Sequence, residues 1–95
     1  MKEYYVYIMA SKRNGTLYVG IASDLVQRVW QHKHGKNKGF TSKYKVNQLV
    51  YYEEHNDVME AIKREKNIQA WKRKWKLILI EKINPLWEDL YEHII

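Results

Sequence analysis

The pattern of apolar positions opens with two short runs of strand character. Tyr4 to Met9 is aromatic and β-branched throughout; Tyr5 and Tyr7 fall on one face of an extended chain, Val6 and Ile8 on the other. A tyrosine face opposite an aliphatic face predicts a core on one side and a wet surface on the other. Ser11 to Gly15 ends in Asn14-Gly15, a strong turn signal, with Lys12 and Arg13 expected in solvent. Leu17 to Ala22 then returns as a second strand, completing an antiparallel hairpin. From there the period lengthens. Ser23 is expected to cap a helix and Asp24 to lie favourably against its dipole; Leu25, Val26 and Val29 form its apolar side, and it runs to about His34. Gly35 and Gly39 bracket a basic loop from His34 to Lys45. Gln48 to Glu54 reads as a third strand. Asp57 and Glu60 resemble a capping box at the start of a helix with the stripe Val58, Ala61, Ile62 and Ile68. Trp71, Trp75, Ile78 and Leu79 keep the same period to Lys82, as one helix or a second. Asn84 stops it, and Pro85 is expected at the first position of a short last helix closed by Trp87, Leu90 and Ile94. The prediction is an α+β fold: a small three-stranded antiparallel sheet flanked by helices, in one domain over residues 1–95.

Composition narrows the class. Hydrophobic residues make up 45% of the 95, enough for a folded core. With no cysteine there are no disulfides, no zinc finger and no thiolate chemistry. No apolar stretch is long enough to span a bilayer and Met1 leads directly into a strand, so the chain reads as cytoplasmic and not membrane-bound. Seventeen Lys and Arg against 11 Asp and Glu leave a net charge of +6, which favours a polyanionic partner, nucleic acid ahead of an acidic membrane surface. Eight tyrosines and four tryptophans against one phenylalanine suit half-buried walls and base-stacking surfaces as well as cores.

Five side chains carry candidate chemistry. Glu65 stands in the stripe of Val58, Ala61, Ile62 and Ile68 where an apolar residue is expected, and an unpaired buried carboxylate is costly. It is either an ion-paired or edge residue or a cleft carboxylate for Mg²⁺ or Mn²⁺. Arg28 and His32 are four apart and share a helix face. They are either a surface pair or a phosphate fork beside a proton-accepting imidazole. Tyr7 and Tyr18 are either core aromatics or hydroxyls at the site, and Gly20 allows a close approach. No phosphate-cradling glycine loop and no serine nucleophile turn is present, and the histidines at 32, 34, 55 and 93 lack zinc-ligand spacing.

These residues resemble the GIY-YIG nuclease superfamily. Val6-Tyr7 matches the end of its first tripeptide, with Tyr5 in place of the glycine, and Tyr18-Val19-Gly20 matches the second, with valine for isoleucine. Arg28, His32 and Glu65 fall at the family's arginine, histidine and metal-binding glutamate. The similarity continues through Ala61 to Lys66, Trp71-Lys72-Arg73 and Asn84-Pro85-Leu86-Trp87. It resembles the small standalone bacterial members related to the N-terminal nuclease domain of the excision-repair subunit UvrC.

The resemblance implies a metal-dependent endonuclease cutting DNA phosphodiesters, in repair or recombination, with DNA ahead of RNA. Glu65 would hold one Mg²⁺ or Mn²⁺, and water would attack in line. Tyr7, with His32 assisting, would orient or deprotonate that water; Arg28 would stabilise the charged transition state and Tyr18 would place a phosphate oxygen. Phosphate contacts are expected from Lys33, Lys36, Lys38, Lys43 and Lys45 in the basic loop, and from Arg64, Lys72 and Arg73 in the helix from Lys63 to Lys76. Binding would be salt-dependent with little base readout, which implies either structure selectivity or recruitment by a protein partner. Two rivals stay open: a non-catalytic nucleic-acid-binding module, and a protein-interaction domain using Tyr and Trp as its interface.

Overall fold

The computed structural model describes residues 3–35 and 39–95, so Lys36 and Lys38 lie outside the described residues. Its sheet has three strands, β1 (Tyr4–Ala10), β2 (Leu17–Ala22) and β3 (Gln48–His55), with β1 in the centre and both pairings antiparallel. In the hairpin Tyr7 pairs with Gly20 and Met9 with Tyr18. Across the other edge Ile8 opposes Tyr51 while Met9 opposes Leu49, so Val50 is an extra residue in β3 and forms a bulge. The hairpin loop is closed by Ser11, whose amide donates to the Thr16 carbonyl (3.0 Å) and whose Oγ accepts from the Thr16 amide (3.0 Å). Asn14 takes φ 58°, the left-handed conformation asparagine tolerates.

Among the described residues five helices surround the sheet: α1 (Leu25–Lys33), α2 (Phe40–Lys43), α3 (Val58–Ala70), α4 (Arg73–Ile83) and α5 (Tyr91–Ile94). Several local expectations are corrected, and the open alternative for the long apolar run is resolved. The cap of α1 is Asp24, not Ser23: its extended backbone lets Oδ1 accept from the Gln27 amide at 3.0 Å. The basic loop contains a helical turn, α2, whose last residues are tied back by the Val46 amide donating to the Thr41 carbonyl at 2.9 Å. The long apolar run is two helices, because Trp71 and Lys72 are both extended (ψ 148° and 149°). That break resets the phase, so α4 buries Ile80 and packs Leu77 and Leu79 on the core. Trp75 and Ile78 are turned outward, half exposed. Val58 likewise sits at the solvent side of α3 rather than in its stripe.

Pro85, finally, lies in a turn closed by the Trp87 amide donating to the Asn84 carbonyl (3.0 Å), and the last helix starts only at Tyr91. Asn84 is buried because it brackets this turn. Its Nδ2 donates to the carbonyls of Val50 (3.0 Å) and Glu88 (2.9 Å), and its Oδ1 accepts from the Glu88 amide (3.0 Å). The turn drives Trp87 into the core.

Both faces of the sheet carry a core. Val6, Ile8, Ala10 and Val19 pack with Ala61 and Ile68 of α3 and Ile80 of α4. Tyr7, Met9 and Ala22 pack with Leu25 and Val29 of α1, with Val46 and Leu49 beside them. The tyrosine face is therefore not a wet surface: α1 and α5 cover it, and Tyr7 is wholly buried. Among the described residues no helix is long and apolar enough to cross a membrane.

Candidate active site

The hairpin register places Tyr7 opposite Gly20, with Tyr18 two residues earlier on the same face of β2. A Cβ on Gly20 would stand 2.6 Å from the Tyr7 hydroxyl and 2.9 Å from the Tyr18 ring. Glycine is thus required for the Tyr7 side chain to cross β2. The Tyr7 and Tyr18 ring centroids lie 6.2 Å apart. The Asp24 cap fixes the start of α1, and four-residue spacing then aims Arg28 and His32 at the same place. The Tyr7 hydroxyl is 3.0 Å from His32 Nε2, and His32 Nδ1 is 2.9 Å from Thr41 Oγ1. The His32 ring also lies 5.4 Å from that of Tyr18. The spacing argument thus brings Tyr7, Tyr18, Arg28 and His32 into one cluster.

The electrostatics of the cluster follow from its burial. Desolvation lowers the His32 pKa from its usual 6.5, and the Arg28 guanidinium adds to that. The imidazole is therefore neutral at pH 7, and both tautomers leave Tyr7 and Thr41 hydrogen-bonded. Burial pushes the Tyr7 phenol well above its usual range and Tyr18 adds to the rise, while Arg28 opposes it. Arg28 itself is half-buried, its guanidinium at 3.5 Å from the Ile21 carbonyl. One side of it lines a small cleft of about 140 Å³ with Ser23, Asp24, Gln27 and Gln31.

Glu65 lies on α3, which packs on the other face of the sheet from Tyr7 and His32. It is half-buried on α3 and accepts from Gln69 Nε2 at 2.6 Å. The same amide donates to the Val19 carbonyl at 3.2 Å, which fastens the pair to edge strand β2 between Tyr18 and Gly20. Among the described residues no cluster of three or more His, Cys, Asp or Glu side chains could enclose a metal. What Glu65 provides is one hard carboxylate with a neutral amide as its partner, half open to solvent. That suits Mg²⁺ or Mn²⁺, which keep waters and bind one or two carboxylates together with substrate phosphate.

The expected phosphate-binding residues divide into two groups. Lys33 is engaged with Asp89 and with the Asn47 carbonyl (3.0 Å), tying α1 to the C-terminal segment. Arg64 forks onto Glu53 (2.9 and 3.1 Å), and Arg73 clamps the hairpin loop through the carbonyls of Asn14 (2.8 Å) and Gly15 (2.6 Å). Lys43, Lys45 and Lys72 are exposed, with no ion-pair partner among the described residues. The tyrosine that stands in place of the pattern's glycine is accommodated. Tyr5 turns to the β3 side, edge-on to Tyr52 at 6.5 Å and hydrogen-bonded to Glu3 (3.0 Å) and Glu54 (3.3 Å), away from the Tyr7 cluster. Asp24 spends its charge on the α1 N-terminus.

Two polar partners were not anticipated from the chain. Gln69, one turn after Glu65, was findable from its four-residue spacing. Thr41 was not, because no periodicity links a hydroxyl in a basic loop to an imidazole nine residues earlier.

A family model described as the GIY-YIG catalytic domain matches residues 3–84, a span that holds all five candidate residues. A UPF0213 protein of Staphylococcus saprophyticus is 38% identical over 82 residues, covering 86% of this chain and 99% of that protein. A UPF0213 protein of Staphylococcus epidermidis is 37% identical over the same shares. The solution structure of the UPF0213 protein BH0048 from Bacillus halodurans superposes with a TM-score of 0.57 at 25% identity, over 92% of each chain. The chain belongs to the GIY-YIG catalytic domain family and, within it, with the bacterial UPF0213 proteins.

Proposed function

We propose that the protein is a divalent-metal-dependent endonuclease that hydrolyses DNA phosphodiesters with the Tyr7, Tyr18, Arg28 and His32 cluster and the Glu65 carboxylate. The observation that carries this reading is the buried 3.0 Å contact between Tyr7 and a neutral His32, with Arg28 close enough to act on both. A tyrosine whose pKa is raised is a poor base by itself. It becomes one by passing its proton on: water gives a proton to the Tyr7 oxygen as the Tyr7 proton moves to His32 Nε2. The hydroxide so formed attacks phosphorus. Thr41 holds Nδ1 and keeps Nε2 aimed at Tyr7. Arg28 neutralises charge on the phosphate oxygens in the transition state, and the Tyr18 hydroxyl positions one of them. Glu65 would hold Mg²⁺ or Mn²⁺ with waters, and the cation supplies charge neutralisation at the scissile phosphate and the departing oxygen.

Substrate choice follows from which of the expected phosphate contacts stay unengaged among the described residues. Lys43, Lys45 and Lys72 give weak, salt-dependent backbone binding, which supports a structure-selective or partner-recruited enzyme of DNA repair or recombination. The test is incubation of the purified protein with labelled nicked, flapped and branched DNA and matched RNA, with Mg²⁺ or Mn²⁺, beside Tyr7→Phe. Metal-dependent cuts on DNA, lost in the variant, are expected. DNA binding with no cleavage of any substrate would instead establish a non-catalytic binding module.

A further inference from the structure

A line of aromatic rings leads from the reaction centre to the surface. His32 and Tyr18 lie 5.4 Å apart, Tyr18 and Phe40 6.3 Å, and Phe40 and Tyr44 4.8 Å. His32 is buried and Tyr18 partly so, but the outer two rings are open: Phe40 is 47% exposed and Tyr44 46%. Both sit at α2, and its middle residue Thr41 is held on His32, so this exposed pair is rigidly referenced to the imidazole. Cations flank it. Lys43 Nζ stands 5.4 Å above the Tyr44 ring, and Lys45 follows in a left-handed turn (φ 54°) with its side chain in solvent.

Two half-exposed aromatic rings with adjoining ammonium groups match an unpaired nucleotide, which presents a flat π-face and a phosphate together. A base inside a duplex is stacked on both sides and has no face to give. We propose that Phe40 and Tyr44 form a stacking platform for one unpaired nucleobase of DNA beside the scissile phosphate, with Lys43 and Lys45 on its backbone. The platform rests on the nuclease reading for what lies next to it, and names the substrate class as strands with an unpaired base at the cut.

The test reads binding separately from cleavage. In EDTA, wild-type protein is titrated into a single-stranded DNA oligonucleotide carrying 2-aminopurine and into its blunt duplex. Phe40→Leu, Tyr44→Leu and the double variant run in parallel. Leucine keeps apolar packing against Tyr18 but lacks the ring face, and matching thermal unfolding shows that each variant is folded. Fluorescence quenching on the single strand is expected with wild type, with affinity falling roughly 5- to 150-fold in the variants, the range of one base–aromatic stack. Duplex binding should change little. Equal single-strand affinities for wild type and the double variant would overturn the platform, as would wild-type preference for the blunt duplex. Quenching with no cleavage of any DNA in Mg²⁺ would leave the platform standing and remove the nuclease beside it.

Discussion

Gly20→Ala is the smallest change that should disable the site. The added Cβ meets the Tyr7 hydroxyl at 2.6 Å and its Cζ at 2.7 Å, where ordinary contact begins at 3.4 Å. Something must therefore move by about 0.8 Å, the difference between the 3.4 and 2.6 Å separations. Tyr7 has no room to yield, being wholly buried with its hydroxyl bonded to His32 at 3.0 Å. Overpacking of this kind costs about 1–3 kcal/mol, which lowers Tm by roughly 5–20 °C for a domain of this size. The displacement also separates the Tyr7 hydroxyl from Nε2, and a misplacement near 1 Å is worth about 10²-fold in rate. Thermal unfolding and cleavage, measured well below the variant's Tm, report the two effects separately. A variant with wild-type Tm and wild-type cleavage would refute the close crossing of Tyr7 over β2.

Three further outcomes are expected. Thr41→Val leaves His32 Nδ1 without its partner inside the protein, so stability should fall by about 1–3 kcal/mol and cleavage with it, while Thr41→Ser restores both; denaturant titration and cleavage rates decide. The His32 pKa is depressed by folding, so the unfolded chain binds more protons below pH 6.5. Stability should accordingly rise with pH up to about 6.5 and lose that dependence in His32→Gln, as read by Tm against pH. Burial alone would raise the Glu53 pKa, but hydrogen bonds from Arg64, Tyr51 and His55 outweigh it and hold it below the usual carboxylate range. Glu53→Ala should therefore destabilise by about 1–2 kcal/mol, the partly exposed ion pair limiting the loss, with cleavage unchanged at low temperature.

The strands and the cluster of Tyr7, Tyr18, Arg28 and His32 were legible in the chain because their signals are local. Two-residue alternation sets which tyrosines face α1, and four-residue spacing sets which α1 side chains meet them. What was not legible depends on distant contacts. Trp75 and Ile78 looked like core because the period ran unbroken through Trp71, whereas two extended residues there change its phase. Pro85 looked like a helix start, but the Asn84 side chain holds a turn instead by bonding β3. Lys33, Arg64 and Arg73 read as free charge, yet each has a specific anionic or carbonyl partner brought near by folding. Thr41 escaped notice for the same reason, since its role exists only once α2 is folded against α1.

Glu65→Ala decides whether one carboxylate separates binding from chemistry. Its affinity for a flapped DNA should be measured in Ca²⁺ and its single-turnover cleavage rate in Mg²⁺, both beside wild type. Affinity within a few-fold of wild type is expected, with a cleavage rate reduced by about 10²-fold or more, the scale of losing a major electrostatic contribution to the transition state. Wild-type cleavage by the variant would contradict it.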